Sequence, residues 1–286
     1  MSYKAEIMKA FHRKFGRNEE EPTIHKVLGL IQRERGNYFS NDSLVLDNAM
    51  GNGFDISQIK LWYPKAEVFG IDRNIIMPGE SPEDLPELRS DAYRYEDARK
   101  IVRKAFGRDM LPKCHVFRGD ARELDFESEY FSNVISLGLI HHQERGDRIK
   151  SFAESYRVLR KGGKSVWFSN SGEGLKPFSG MKKYYDWKST RQDNRDESLN
   201  PDFNPDEYQR LKEDILKICG KYGITPIGGD WRKLERVAAH SHSFFIEDLD
   251  QKTVSRDLKN IGYKAKVYQM EKPQSIFKYL LIEAEK

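Results

Sequence analysis

Cysteine is nearly absent. Two residues in 286, Cys114 and Cys219, are too few for a disulfide framework or a zinc ribbon, and they share no metal-ligand spacing. A reduced compartment fits that usage. Charge of one sign is also lacking: 49 bases against 45 acids leave +4, a mild excess on a large chain, so charge alone nominates no partner. Long apolar runs are missing too. The longest comparable stretch, Val134 to Ile140, still contains Ser136 and Gly138 and falls far short of the ~20 residues that a membrane span needs. The first fifteen residues interleave Lys4, Glu6, Lys9, Arg13 and Lys14 with apolar ones, which leaves no signal-peptide core. The expectation is a soluble, cytoplasmic protein. There is no internal repeat or low-complexity tract, and a hydrophobic fraction of 38% with 4 Trp, 14 Tyr and 16 Phe supplies a full core, excluding disorder. The length suggests one large domain, or one domain with a sizeable insertion.

Two short helical patterns come first, near Tyr3 to Phe15 and from Pro22, where Ile24, Val27, Leu28 and Ile31 share a face. From Ser43 the pattern changes to compact apolar runs, each followed by Gly or Asp and then a helical segment: Leu44 to Leu46, Ala66 to Ile71, Cys114 to Phe117, Phe131 to Leu137 and Lys164 to Phe168. Such alternation predicts an α/β fold with a parallel sheet and crossover helices. The second crossover is long, broken by Pro78, Pro82 and Pro86 before a charged helix from about Asp91 to Phe106. Regular alternation stops after Asn170. Residues 171–250 carry Gly/Pro breaks and one helix pattern from Glu207 to Tyr222. The end returns to order with a helix near Lys252 to Ile261 and strands near Lys264 to Gln269 and Ser275 to Glu283. The chain thus divides into a helical lid (1–40), a core (41–170), an inserted substrate-facing cap (171–250), and a helix with two strands that complete the core (251–286).

The turn after the first strand carries chemistry. Val45-Leu46-Asp47-Asn48-Ala49-Met50-Gly51-Asn52-Gly53-Phe54-Asp55 reads as a strand, an acid at its end, a glycine turn and a helix start. Glycines there allow positive φ and close backbone approach, and amides at the helix start can hold an anionic group beyond the carboxyl ends of the strands. A glycine turn without a ligand would read the same in isolation. A dinucleotide fingerprint needs a third small residue three positions beyond Gly53, where Ile56 stands.

Asp47, Gly51 and Gly53 in this register resemble the first motif of the class I S-adenosylmethionine-dependent methyltransferases, D/E-x-G-x-G-x-G, with Ala49 in place of its first glycine. Further segments follow in order. The second strand closes on Asp72, 25 positions after Asp47, and the third on Gly119-Asp120-Ala121. The run from Tyr130 to His142 resembles the fourth-strand segment of the ubiquinone/menaquinone-type enzymes, and Glu154 to Lys164 their helix, glycine turn and fifth strand, with Arg160-Lys161 in place of Lys-Pro. The resemblance covers about residues 40 to 170 and the closing hairpin. It implies a Rossmann-like seven-stranded, mostly parallel sheet with helices on both faces and an antiparallel last strand. It also implies S-adenosylmethionine as cofactor and S-adenosylhomocysteine as product. On that reading Asp47, Gly51 and Gly53 form the methionine end, Asp72 the ribose end, and Asp120 with Ala121 the adenine end, with Asn48, Ala49, Arg73, Ser136 and Leu137 also among the cofactor-binding residues.

Methyl transfer from a sulfonium is an in-line displacement, so holding the acceptor at attack distance in a dry pocket is the main task. If the acceptor loses a proton, histidine is the natural base near neutral pH. His141 and His142, after the fourth strand, are the candidates, with pocket wall or helix-start polar groups as the alternative role. Tyr184, Tyr185, Trp187, His240 and His242 are candidates for the acceptor pocket, and no metal is expected. The expected partner is a small or medium organic acceptor. Basic residues among the aromatics from Lys182 to Arg191 leave a nucleic-acid strip, and so an RNA (tRNA) substrate, as an alternative. A non-catalytic binding or regulatory protein is another. The Asn/Asp-Pro-Pro-Tyr motif of nucleic-acid amino methylation is absent, and neither cysteine is placed for cytosine C5 attack. The acceptor atom and oligomeric state are not readable from the sequence.

Overall fold

A computed structural model describes residues 27–29, 31–32, 38–85, 88, 92–172, 213, 216–217, 248–271 and 278–286. Among the described residues nine strands and four full helices follow in chain order: β1 (Leu44–Asp47), α1 (Phe54–Trp62), β2 (Glu67–Asp72), β3 (Ile75–Ile76), β4 (Tyr93–Arg94), α2 (Tyr95–Phe106), β5 (His115–Arg118), β6 (Phe131–Leu137), α3 (Arg145–Val158), β7 (Leu159–Asn170), α4 (Gln251–Ile261), β8 (Lys264–Glu271) and β9 (Lys278–Glu285). Seven of the strands form one sheet in the order β5-β2-β1-β6-β7-β9-β8. Every pairing from β5 to β7 is parallel, and β9 runs antiparallel to both β7 and β8. This is the seven-stranded, mostly parallel sheet with a reversed last strand that the sequence predicts, and its class is that of the Rossmann-like methyltransferases.

Both faces of the sheet are buried, so neighbouring residues of a strand feed two different cores. On one face Val45, Val68, Val116, Ile135, Val166 and Leu281 pack with Ile56 and Ile59 of α1 and Ala98 and Val102 of α2. On the other Leu46, Phe69, Val134, Trp167 and Ile282 pack with Phe152 of α3 and Val254 and Leu258 of α4. Val27, Leu28 and Ile31, predicted to share a face, are all buried in the first of these cores.

Helix ends follow ordinary capping rules. Asp250 caps α4, its carboxylate accepting from the Thr253 N–H and hydroxyl at 2.9 Å each, and Gly262, at φ 118°, closes that helix. Gly107, at φ 69°, ends α2. The expected helix from about Asp91 begins at Tyr95 instead. Tyr93 and Arg94 pair with Ile75 and Ile76 in a separate two-stranded sheet, which spends the long second crossover on an excursion beside β2. Strand β7 extends past the expected Lys164 to Phe168 at both ends: Leu159 pairs with Phe131 of β6, and β9 pairs with it as far as Asn170.

Residues 171 and 172 lie against residue 249: the Gly172 N–H donates to the Leu249 carbonyl at 2.8 Å. The chain therefore returns at 248–250 to the point, next to the carboxyl end of β7, from which it leaves. Of the helix pattern from Glu207 to Tyr222 only residues 213 and 216–217 are described, all three as helix, and the candidates Tyr184, Tyr185, Trp187, His240 and His242 lie outside the described residues, as does most of 1–40.

Candidate functional site

Parallel pairing brings the carboxyl ends of five strands to one edge. Asp47 pairs with Gly70 and with Ile135, Asp72 with Arg118, and Leu137 with Phe168. Ligands of open α/β sheets bind beyond such an edge, where strand order reverses, here between β1 and β6.

The turn after β1 is stitched across its neighbours. The Asn48 N–H donates to the Ile135 carbonyl at 3.1 Å, the Met50 N–H to the Ile71 carbonyl at 2.9 Å, and the Gly51 N–H to Oδ2 of Asp72 at 3.0 Å. Asp72 also accepts from the Asn74 N–H at 2.8 Å through Oδ1, so both of its oxygens are oriented by backbone. The Tyr93 hydroxyl, delivered by the crossover excursion, donates to the Gly51 carbonyl.

Gly51 and Gly53 sit at φ 49° and 75°, the left-handed region that costs an L-residue ~1–2 kcal/mol. Space around Gly51 is open, whereas a Cβ on Gly53 would stand 2.4 Å from Cδ2 of Leu111. Ala49 is not among the residues with positive φ, so its methyl in place of glycine is accommodated. A glycine outside the motif does further work: a Cβ on Gly70 would lie 2.5 Å from Sδ of Met50 and 2.8 Å from Cδ1 of Ile56, so its hydrogen lets the turn and α1 sit down on β2.

Asp47 is buried. Its Oδ1 accepts from the Ala49 N–H at 3.2 Å, and its Oδ2 has no hydrogen-bond partner among the described residues. Burial, then the charge of Asp55, raise its carboxyl well above the ordinary aspartate range, with Asp72 adding to the rise and the Ala49 N–H opposing it. Such a group is suited to a cationic partner, which would restore its charge. Asn48 is held by a hydrogen bond from Nδ2 to Oγ of Ser155 at 2.9 Å.

At the outer end, Asp120 is gripped by Arg122. The Arg122 backbone N–H and Nε both reach Oδ1 at 2.9 Å, Nη2 reaches Oδ2 at 2.6 Å, and Nη1 extends to Oδ2 of Asp147 on α3 at 2.6 Å. Arg73 stands 3.9 Å from Asp120. Desolvation pushes the Asp120 carboxyl up, but the hydrogen bonds and charge of Arg122 outweigh it, so the carboxyl lies below its ordinary range. Ala121 is buried beside it.

On the other side of β1, Ser136 is buried with no partner for Oγ among the described residues, and Leu137 closes β6. His141 and His142 follow in a short 3₁₀ turn, Ile140–His142. His141 is buried with Nδ1 2.9 Å from Oγ of Ser169, and the two imidazoles lie 4.2 Å apart centre to centre. Cys114 precedes β5, and burial pushes its thiol up to about 12.

The residues present fit a nucleoside-linked amino acid bearing positive charge: an orphaned buried carboxylate oxygen at Asp47, two glycines that bare the turn, an oriented carboxylate at Asp72 and an ionised acceptor at Asp120. Sequence reasoning did not find Gly70, Tyr93, Asn74 or Arg122. Only the Asp-x-Arg spacing at 120–122 hinted at the last.

Comparison with known proteins gives the same fold and domain. A family described as a methyltransferase domain matches residues 94–163. The chain is 26% identical over 205 residues to the chloroplastic 2-methyl-6-phytyl-1,4-hydroquinone methyltransferase of Spinacia oleracea, covering 67% of this chain and 51% of that protein. It is 29% identical over 167 residues to a protein of Encephalitozoon cuniculi named as a methyltransferase, covering 56% of this chain and 63% of that one. The chain thus spans between about half and two thirds of the length of these relatives. Among solved structures, a Haloferax volcanii protein in complex with the Trm112 methyltransferase activator superposes with a TM-score of 0.51 at 12% identity, covering 99% of this chain and 97% of that one, a likeness of fold.

Proposed function

We propose, from a methyltransferase domain built on the class I fold, that this chain transfers the methyl group of S-adenosylmethionine to a small or medium organic acceptor. The observation that carries the reading is the row of strand-end groups along one sheet edge: Asp47, with one oxygen unpartnered among the described residues, the Gly51 and Gly53 turn, Asp72, oriented by two backbone N–H groups, and Asp120. The bound cofactor would supply an activated methyl on a sulfonium. Asp47 would meet the ammonium of its methionine part, the bare turn at Gly51 to Gly53 its backbone atoms, Asp72 the ribose hydroxyls, and Asp120 with the Ala121 N–H the adenine.

The chain's own contribution to the reaction is placement. The site would hold the acceptor atom in line with the methyl carbon, on the side away from sulfur, which would leave with the electron pair of the carbon–sulfur bond. If the acceptor is a hydroxyl or ammonium its proton must leave. Of the two histidines after β6, His141 is buried beside Ser169, which supports a wall and orienting role for it and favours His142 as the candidate to take that proton. The name of the spinach relative, a hydroquinone methyltransferase, supports starting the acceptor search with phenols and quinols. The absence of a membrane-length apolar helix among the described residues agrees with an enzyme that meets its acceptor without spanning a bilayer.

The test is methyl transfer from methyl-labelled S-adenosylmethionine into an extract of small metabolites, with phenolic acceptors added separately and bulk tRNA as a parallel arm. Label in the small-molecule fraction supports the proposal. Label in tRNA alone would replace it with the RNA reading, and binding without any transfer would favour a non-catalytic role.

A further inference from the structure

The grip of Arg122 on Asp120 has no counterpart in the motif that brought Asp120 forward. Arg122 reaches both carboxylate oxygens and spans to Asp147, which lies in the first turn of α3. One side chain therefore ties the loop after β5 to the helix after β6. A carboxylate has about four acceptor positions. Three N–H groups of Arg122 occupy them: the backbone N–H on Oδ1, Nε shared between Oδ1 at 2.9 Å and Oδ2 at 3.1 Å, and Nη2 on Oδ2, which leaves about one of the four. The two arginines that flank Asp120, Arg122 and Arg73, keep it an acceptor only.

We propose that Arg122 is a positioning residue for purine recognition: by locking Asp120 from two sides and anchoring to Asp147, it leaves one directed acceptor that takes a 6-amino group and repels a 6-oxo group. This rests on the proposed adenosyl site. A 6-aminopurine presents a donor to that lone pair, whereas a 6-oxopurine presents at the same position an oxygen lone pair, which a carboxylate repels, and its neighbouring N1–H donor points elsewhere. Without Arg122 the carboxylate is free to rotate among rotamers and to be solvated, so the favourable contact weakens and the repulsive one can be avoided. Affinity for the amino form and discrimination against the oxo form should fall together.

The experiment is calorimetric titration of the full chain, wild type and variants, with S-adenosylhomocysteine and with its 6-oxo counterpart, S-inosylhomocysteine. Wild type is expected to prefer the adenosyl compound by roughly tenfold or more, the worth of one hydrogen bond to a charged group. Arg122→Gln should lose roughly tenfold in affinity for the adenosyl compound and little or none for the inosyl one, bringing the ratio toward unity. Asp147→Asn, which keeps Arg122 but loosens its second anchor, should move the ratio the same way by less, and Arg122→Lys should lie between. These two milder variants carry the test if Arg122→Gln melts below the working temperature. An unchanged ratio in folded variants overturns the proposal, because a merely structural arginine would weaken both ligands alike. Tighter binding of the adenosyl compound by Arg122→Gln also overturns it, since Arg122 would then be masking Asp120. A wild type that binds neither compound removes the adenosyl reading itself, and this proposal with it, whereas wild-type binding with an unmoved ratio removes only the role of Arg122.

Discussion

Replacing Asp47 by Asn should make the ligand-free protein more stable at neutral pH and make it a poorer binder. Asp47 is almost wholly buried, one of its oxygens is unpartnered among the described residues, and the carboxylates of Asp55 and Asp72 are near enough to raise its pKa. An amide of the same shape keeps the bond from the Ala49 N–H and removes a charge that burial penalises. The pH dependence has a definite sign. Asp47 in the folded chain holds its proton well above the ordinary aspartate value near 3.9, at which the unfolded chain releases it. Between those two values the folded state binds more protons, so this group makes stability fall as pH rises, by at most about 1.4 kcal/mol per unit. Below the unfolded value the contribution is constant. Chemical denaturation of both proteins in steps from about pH 4 to pH 8 should show that slope in wild type and its loss in Asp47→Asn, so that the variant gains on wild type as pH rises. Binding should move the other way. Loss of a charge-assisted hydrogen bond to a ligand ammonium costs ~1.5–3 kcal/mol, or roughly 10- to 150-fold in affinity. Binding to wild type should also release a proton, seen as a dependence of the calorimetric heat on buffer ionisation, and the variant should not. A variant that is less stable than wild type at every pH, with unchanged ligand affinity, would refute the reasoning.

Other substitutions probe the frame of the site. Gly53→Ala forces an L-residue to φ 75° and sets a Cβ 2.4 Å from the buried Leu111, so a destabilisation of about 2–4 kcal/mol is expected, read as a shift of denaturation midpoint without a change of slope. Gly51→Ala meets no neighbour within 4 Å and should lose only the backbone contribution, ~1–2 kcal/mol, in the same assay. Cys114, its thiol pushed up to about 12, should resist alkylation at about pH 8 in the folded protein and react only on unfolding, as mass spectrometry of iodoacetamide-treated samples would show.

Much of this fold is written in short-range pattern. Strands buried on both faces read as apolar runs, and the runs at Leu44, Ala66 and Phe131 coincide with β1, β2 and β6, while that at Lys164 falls within the longer β7. The acids closing β1 and β2 were legible for the same reason: an acid after an apolar run marks a strand end. What escaped depends on pairs distant in sequence. Ile75–Ile76 and Tyr93–Arg94 are two-residue strands with no periodicity, and only their mutual pairing makes Tyr93 a ligand of the Gly51 carbonyl. Gly70 lies within an unremarkable strand, and its need for a bare Cα arises from Met50 and Ile56 packing above it. The tie from Arg122 to Asp147 joins positions 25 apart that meet only because β5 and β6 end at the same edge. Asp120 was readable as a strand-end acid, whereas its engagement by Arg122 was not.

The central claim is that the carboxyl edge of the sheet binds an adenosyl amino acid. The most direct measurement is calorimetric titration of the purified chain with S-adenosylmethionine and S-adenosylhomocysteine, with NAD as control, alongside Asp72→Ala. Saturable binding of both adenosyl compounds, none of NAD, and a loss of ~1.5–3 kcal/mol in the variant as hydrogen bonds to a charged group disappear are predicted. Binding of NAD in place of the adenosyl compounds, no binding of either class, or adenosyl binding unchanged by Asp72→Ala would contradict the account.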